Sequence, residues 1–73
     1  MEIVSGLDTG VVQWFNSEKG FGFITDDSRG DDVFVTYADI EGTGFRSLDE
    51  DQRVGYMRED SVRGPRARAV HPL

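Results

Sequence analysis

Between Gly10 and Val70 the apolar residues come in short runs, broken by Gly, Asp and Asn about every eight to twelve residues. That rhythm predicts an all-β chain. The predicted strands are 10–16, 20–25, 32–37, 53–59 and 66–70. Ser17 and Glu18 separate the first pair, and the turn-rich stretch 26–31 separates the second strand from the third. A longer connection, 38–52, contains Gly42 and Gly44; 49–52 offers at most a helical turn, because the glycines disfavour a helix. Pro65 stands just before the last strand, where a missing N–H does little harm. Five short strands hide their edges by curling into a closed or nearly closed barrel, and the five-stranded oligonucleotide-binding barrel is one such solution.

Alternation then assigns faces. Lys19, Phe21 and Phe23 share one side of the second strand, and Gly20, Gly22 and Ile24 share the other. A core on the Phe side would bury Lys19 and leave two glycines facing water. A core on the Gly/Ile side lets a neighbouring strand approach closely at a tight bend. In the third strand the same test turns Val33 and Val35 inward, Phe34 and Thr36 outward. Phe21, Phe23 and Phe34 are thus expected on one exposed sheet surface. The competing expectation is a second small core beneath the 38–52 connection.

Composition narrows the function classes. With 73 residues there is room for one domain, and no cysteine is present for a disulfide, thiolate site or thiol nucleophile. The hydrophobic share is 37%, with no run near the ~18 residues of a spanning helix. The first ten residues lack the basic start and apolar middle of a signal peptide, so a cytoplasmic location is expected. Net charge is −6, which by itself argues against a nucleic-acid partner. The charge is uneven, however: residues 1–45 set Lys19 and Arg29 against nine acids, while 46–73 set six Arg against five. Seven of the eight aromatics crowd into 14–45, only Tyr56 lying outside. Exposed rings beside a lysine suit unpaired bases, which all have a π-face; stacking contributes about 1–3 kcal/mol per base.

The run Gly10-Val11-Val12-Gln13-Trp14-Phe15-Asn16-Ser17-Glu18-Lys19-Gly20-Phe21-Gly22-Phe23-Ile24 resembles the opening of the bacterial cold-shock proteins. The resemblance continues through Asp32-Val33-Phe34-Val35, Gly44-Phe45-Arg46-Ser47-Leu48 and Gly64-Pro65, covering about 10–70. Lys19–Ile24 is similar to the family's first ribonucleoprotein motif and Val33–Tyr37 to its second. The resemblance implies a five-stranded antiparallel barrel of the oligonucleotide-binding type and single-stranded RNA or DNA as partner. It also implies RNA-chaperone function without catalysis, cofactor, metal or small-molecule substrate. A monomer is the expected state. The family's stacking positions fall on Trp14, Phe21, Phe23, Phe34, Tyr37 and Phe45. Lys19 matches its basic residue beside the platform, and Asp32 an acid able to accept from a base edge. Trp14 shares parity with the inward-looking Val12, so a twist or bulge must intervene for it to reach that face.

Three positions depart from the family pattern. Gln13 replaces a basic residue and Thr36 a histidine, and both are expected on the binding face. Arg58 stands where an apolar strand residue is usual, so either Met57 shifts into its inward place or that strand is weakened. Arg63, Arg66 and Arg68 form either a phosphate-steering patch or a solubilising face, with Arg63 favoured for its place before Gly64-Pro65. His71 is read as a solvated tail residue. Asp26, Asp27, Asp31 and Asp32 are read as an acidic turn, since EF-hand spacing is absent. Arg29-Gly30-Asp31 spells an adhesion tripeptide with no use in a cytoplasmic chain. The alternative function is a protein-interaction module that docks a partner on the aromatic face.

Overall fold

The computed structural model describes residues 7–42 and 46–73. Five strands, β1 (Asp8–Asn16), β2 (Phe21–Asp26), β3 (Asp32–Thr36), β4 (Arg53–Ser61) and β5 (Gly64–Pro72), form a closed barrel in the order β1-β2-β3-β5-β4. Every pairing is antiparallel except β3–β5, which is parallel and rests on the single register pair Phe34↔Arg66. The barrel is thus mixed rather than wholly antiparallel. One 3-10 turn (Tyr37–Asp39) follows β3, and no helix of the described residues is long and apolar enough to cross a membrane.

Ile24, Val33 and Val35, which alternation turned inward, lie in the core. Val12, Ile24, Val33, Val35, Val54, Tyr56, Ala67 and Val70 are fully buried, joined by Ile40 and Leu48 from the connection. Gly22 is buried opposite Phe15, where β1 crosses close above it. Gly20 sits in the turn before β2 with φ +78°, a left-handed conformation that favours glycine. The 49–52 stretch makes a turn, closed by Gln52 N–H donating to the Asp49 carbonyl, 3.2 Å, and by Asp49 N–H donating to Gln52 Oε1, 3.0 Å.

The last hairpin is longer than the sequence suggests. β4 runs on to Ser61 and β5 begins at Gly64, because Val62 and Arg63 make a two-residue turn and Gly64 takes φ +116°. Pro65 therefore lies inside β5, opposite Asp60. His71 also belongs to β5 and is not a solvated tail. Its ring lies over Gly55, whose missing Cβ leaves the room, and its Nδ1 is 3.0 Å from the Ala69 carbonyl oxygen.

Arg58 keeps its inward parity, while Met57 points outward and is half exposed. The Arg58 side chain is only 8% exposed. Its guanidinium meets Asp31 at 2.6 Å, Asp60 at 3.3 Å and the buried Asp26 at 3.5 Å. Tyr56 donates its hydroxyl to Asp26, whose other oxygen accepts the Ser28 and Arg29 amides at 2.9 Å each. Burial alone would raise the Asp26 carboxyl. The Tyr56 hydroxyl, the two amides and the Arg58 charge together hold it below the usual carboxylate value. The Asp31 carboxyl is lowered by its hydrogen bond to Arg58, and burial plus Asp26 push the Tyr56 phenol up. The acidic turn is thus organised around an arginine.

Candidate functional site

β1, β2 and β3 lie side by side, so their outward residues form one surface. Val12 pairs with Ile24 and Trp14 with Phe23, with a register shift between them. Gln13 is the extra residue of this β-bulge. The bulge lets Val12 point inward and Trp14 outward despite their shared parity. Phe23 then pairs with Phe34, and Phe21 with Thr36.

Four rings result, each touching two others. Trp14 lies 5.5 Å from Phe21 and 5.7 Å from Phe23 between centroids, and Phe34 lies 6.0 Å and 5.7 Å from the same two. Three of the four contacts are edge-to-face, the arrangement that the ring quadrupole favours. All four side chains are half-buried and form no part of the barrel core. Their mutual support fixes the rings in place without consuming their outer faces.

The polar residues of this surface are partly engaged with one another. Gln13 donates from Nε2 to Asp32 Oδ1 at 3.0 Å and to Thr25 Oγ1 at 3.4 Å. The Thr36 hydroxyl is tied to Asp39 Oδ2 at 3.0 Å, and its amide donates to the same oxygen at 3.2 Å. Lys19 is exposed in the turn before β2 rather than on the strand, its amide held by Asn16 Oδ1 at 2.9 Å. Tyr37, 54% exposed, leads the 3-10 turn and lies against Gly20 at the same end of the surface. Phe45 lies outside the described residues.

The surface does not stop at β3. A pocket of about 340 Å³ lies between Phe23 and Phe34 on one side and Arg63, Pro65 and Arg66 of the β4–β5 hairpin on the other. Arg63 is thereby brought to the aromatic face. Pro65 and Arg66 join it there without any local sequence signal, since only the β3–β5 neighbourhood puts them beside Phe34.

Most arginines are consumed within the fold. Arg53 pairs with Asp27, Arg58 with three aspartates, Arg66 with Asp39, and Arg68 with Asp39 and Glu59. Lys19, in the turn that leads into Phe21, and Arg63, in the pocket beside Phe23 and Phe34, form no ion pair among the described residues. The site therefore offers flat apolar faces, two available cations and few free hydrogen-bonding groups.

Comparison with known proteins agrees with this geometry. Residues 8–73 match the family model of the 'Cold-shock' DNA-binding domain. The cold shock-like protein CspE of Bacillus anthracis is 58% identical over 65 residues, which is 89% of this chain and 96% of that protein. The cold shock-like protein CspLB of Listeria monocytogenes is 54% identical over 67 residues, 92% of this chain and all of that protein. The cold shock-like protein CspA of Bordetella pertussis is 45% identical over the same coverage. The chain belongs to the cold-shock domain family.

Proposed function

We propose that this member of the cold-shock domain family binds single-stranded RNA or DNA, stacks unpaired bases on Trp14, Phe21, Phe23 and Phe34, and acts as an RNA chaperone. The observation that carries the reading is the closed set of four half-exposed rings on one barrel face. Bases held on those rings are unavailable for pairing. Tyr37 and Phe45 extend the stacking track, Lys19 and Arg63 meet phosphates, and Asp32, Gln13 and Thr36 border the bases. The chain works as one domain and as a monomer, with no catalytic step. Pyrimidine-rich strands are preferred, because their weak internal stacking lets bases splay at little cost.

Trp14 fluorescence tests this directly. Emission is expected to be quenched by oligo-dT and oligo-U and unchanged by duplex of the same length, because paired bases present no free face. Emission that ignores every single strand up to millimolar concentration would leave the face to a protein partner instead. Phe21→Ala, Phe23→Ala and Phe34→Ala should each weaken binding by about 1–3 kcal/mol, with cooperative unfolding retained. If all three lost cooperative unfolding, the rings would be core and the stacking assignment would fail.

Salt dependence follows from the charge inventory. Two available cations beside the rings neutralise about two phosphates, so log K against log salt should slope near −1.4. The net charge of −6 adds no further attraction. A slope steeper than about −5 would mean that arginines now paired inside the fold release their partners to bind phosphate.

A further inference from the structure

Arg66 carries the aromatic face onto β5. It is the register partner of Phe34, so the two side chains rise on the same side of the sheet. Arg66 Nη2 donates to both oxygens of Asp39, at 3.0 and 3.4 Å. Asp39 is itself buried and accepts from the Thr36 amide and hydroxyl, with Arg68 Nε at 3.4 Å. The acid is held from several directions and in turn fixes the guanidinium.

This arrangement is poorly suited to a phosphate. Asp39 already compensates the Arg66 charge, so an incoming phosphate gains little Coulomb energy there. Hydrogen-bonding capacity is another matter. Of the guanidinium nitrogens, Nη2 is engaged by Asp39 and the unpartnered Nε is buried out of a ligand's reach, whereas Nη1 makes no hydrogen bond among the described residues and keeps its donors for a base. The side chain is 38% exposed and lines the pocket of about 340 Å³ beside Phe23 and Phe34, with Arg63 across from it.

A planar group that only donates discriminates among bases seated on Phe34. Guanine presents O6 and N7 as adjacent acceptors, so the Nη1 donors meet an acceptor at either atom with no opposing donor beside it, and thymine and uracil present O4. Adenine places its N6 amino donor beside N7, so one of the two contacts becomes repulsive. We propose that Arg66, positioned by Asp39, makes the β3–β5 pocket a subsite that selects keto bases, guanine foremost, over adenine. This rests on the single-strand reading above.

The test uses T-rich heptamers in which one G, A or 7-deazaguanine is walked along the strand, with dT7 as reference. The parent protein is expected to bind one G-containing heptamer about tenfold more tightly than its A counterpart. Substituting 7-deazaguanine, which lacks the N7 acceptor, should remove part of that ratio. Arg66→Gln should bring the G-to-A ratio below about two, and should also weaken dT7, by less than it weakens the G-containing heptamer, because thymine O4 loses a single donor. Asp39→Asn should lower the ratio while steepening the salt slope for dT7, because it frees the Arg66 charge. A parent that binds dT7 but shows no G-to-A preference at any position overturns the subsite alone. So does an Arg66→Gln variant that keeps the parent's ratio. Failure of the parent to bind dT7 or any heptamer overturns the single-strand reading, and the subsite with it.

Discussion

Replacing Arg58 by alanine is expected to destabilise the barrel by about 3 kcal/mol and to raise the pH at which it unfolds in acid. Removing one member of a buried ion pair leaves the other charge without compensation, which typically costs about 3–5 kcal/mol. The low end applies because Asp60 and much of Asp31 remain in water, whereas Asp26 is buried and retains only Tyr56 and two amides. A domain of this size has only about 3–5 kcal/mol in reserve. Guanidinium denaturation should therefore find Arg58→Ala mostly unfolded at low denaturant. By contrast, Asp26→Val, Tyr56→Phe and Arg58→Ile together remove every buried member of the cluster. That triple variant should be as stable as the parent to within about 1 kcal/mol, or more stable.

The acid limb has a definite sign. Asp26 and Asp31 are held below their ordinary value of 3.8 in the folded state. Depressed carboxyl values contribute stability that is fully present above the unfolded value and is lost as pH falls through the folded ones. Without Arg58 both carboxyls move upward, so the loss begins at higher pH. Circular dichroism followed from about pH 5 to pH 2 should separate the two acid midpoints, compared in denaturant too weak to unfold the variant. Coincident midpoints would mean that Arg58 does not compensate these acids.

The legible and illegible parts of the site differ in physical kind. Alternation in 20–24 and 33–36 places Gly22, Ile24, Val33 and Val35 inside and Phe21, Phe23 and Phe34 outside, because a two-residue period on one strand needs no knowledge of its neighbours. Trp14 required more: its outward position depends on a bulge at Gln13, which alternation alone contradicts and the family resemblance demanded. Arg66 was visible only as one of three arginines, since its place beside Phe34 arises from a parallel contact between strands about thirty residues apart in sequence. Thr36 reads as an outward hydroxyl, but its engagement depends on Asp39 in the following turn, a capping arrangement centred on that carboxylate. Arg58 was readable as an anomaly and not as a solution, because its acids come from the end of β2, the turn that follows and its own strand. Patterns within one strand were legible; partnerships across strands were not.

Gly22→Ala is expected to abolish cooperative folding at 25 °C, the largest effect of any conservative change considered. A methyl there would drive into the Trp14 carbonyl oxygen and lie 2.7 Å from the Phe15 Cα and 2.9 Å from its ring. Two of those obstacles are backbone and cannot rotate away. Relief requires β1 to lift from β2, which breaks the ladder at Phe15↔Gly22 and disturbs the adjacent Trp14↔Phe23 pair. Phe15 also packs against the core, so lifting it uncovers apolar surface. Strain of this kind costs about 1–3 kcal/mol when side chains absorb it, and more when the main chain must move. Gly30→Ala is the matched control. It has φ +73° but nothing within 4 Å of the added methyl, so it should cost only the ~1 kcal/mol of a left-handed alanine and keep a normal melt. The stacking face gives an independent readout: any Gly22→Ala molecules that remain folded should show Trp14 displaced and its quenching by oligo-dT lost. A cooperative melt for Gly22→Ala within a few degrees of Gly30→Ala would show that β1 has room to spare above β2. The glycine would then owe its place to something other than the close crossing that aims Trp14 at the rings of β2.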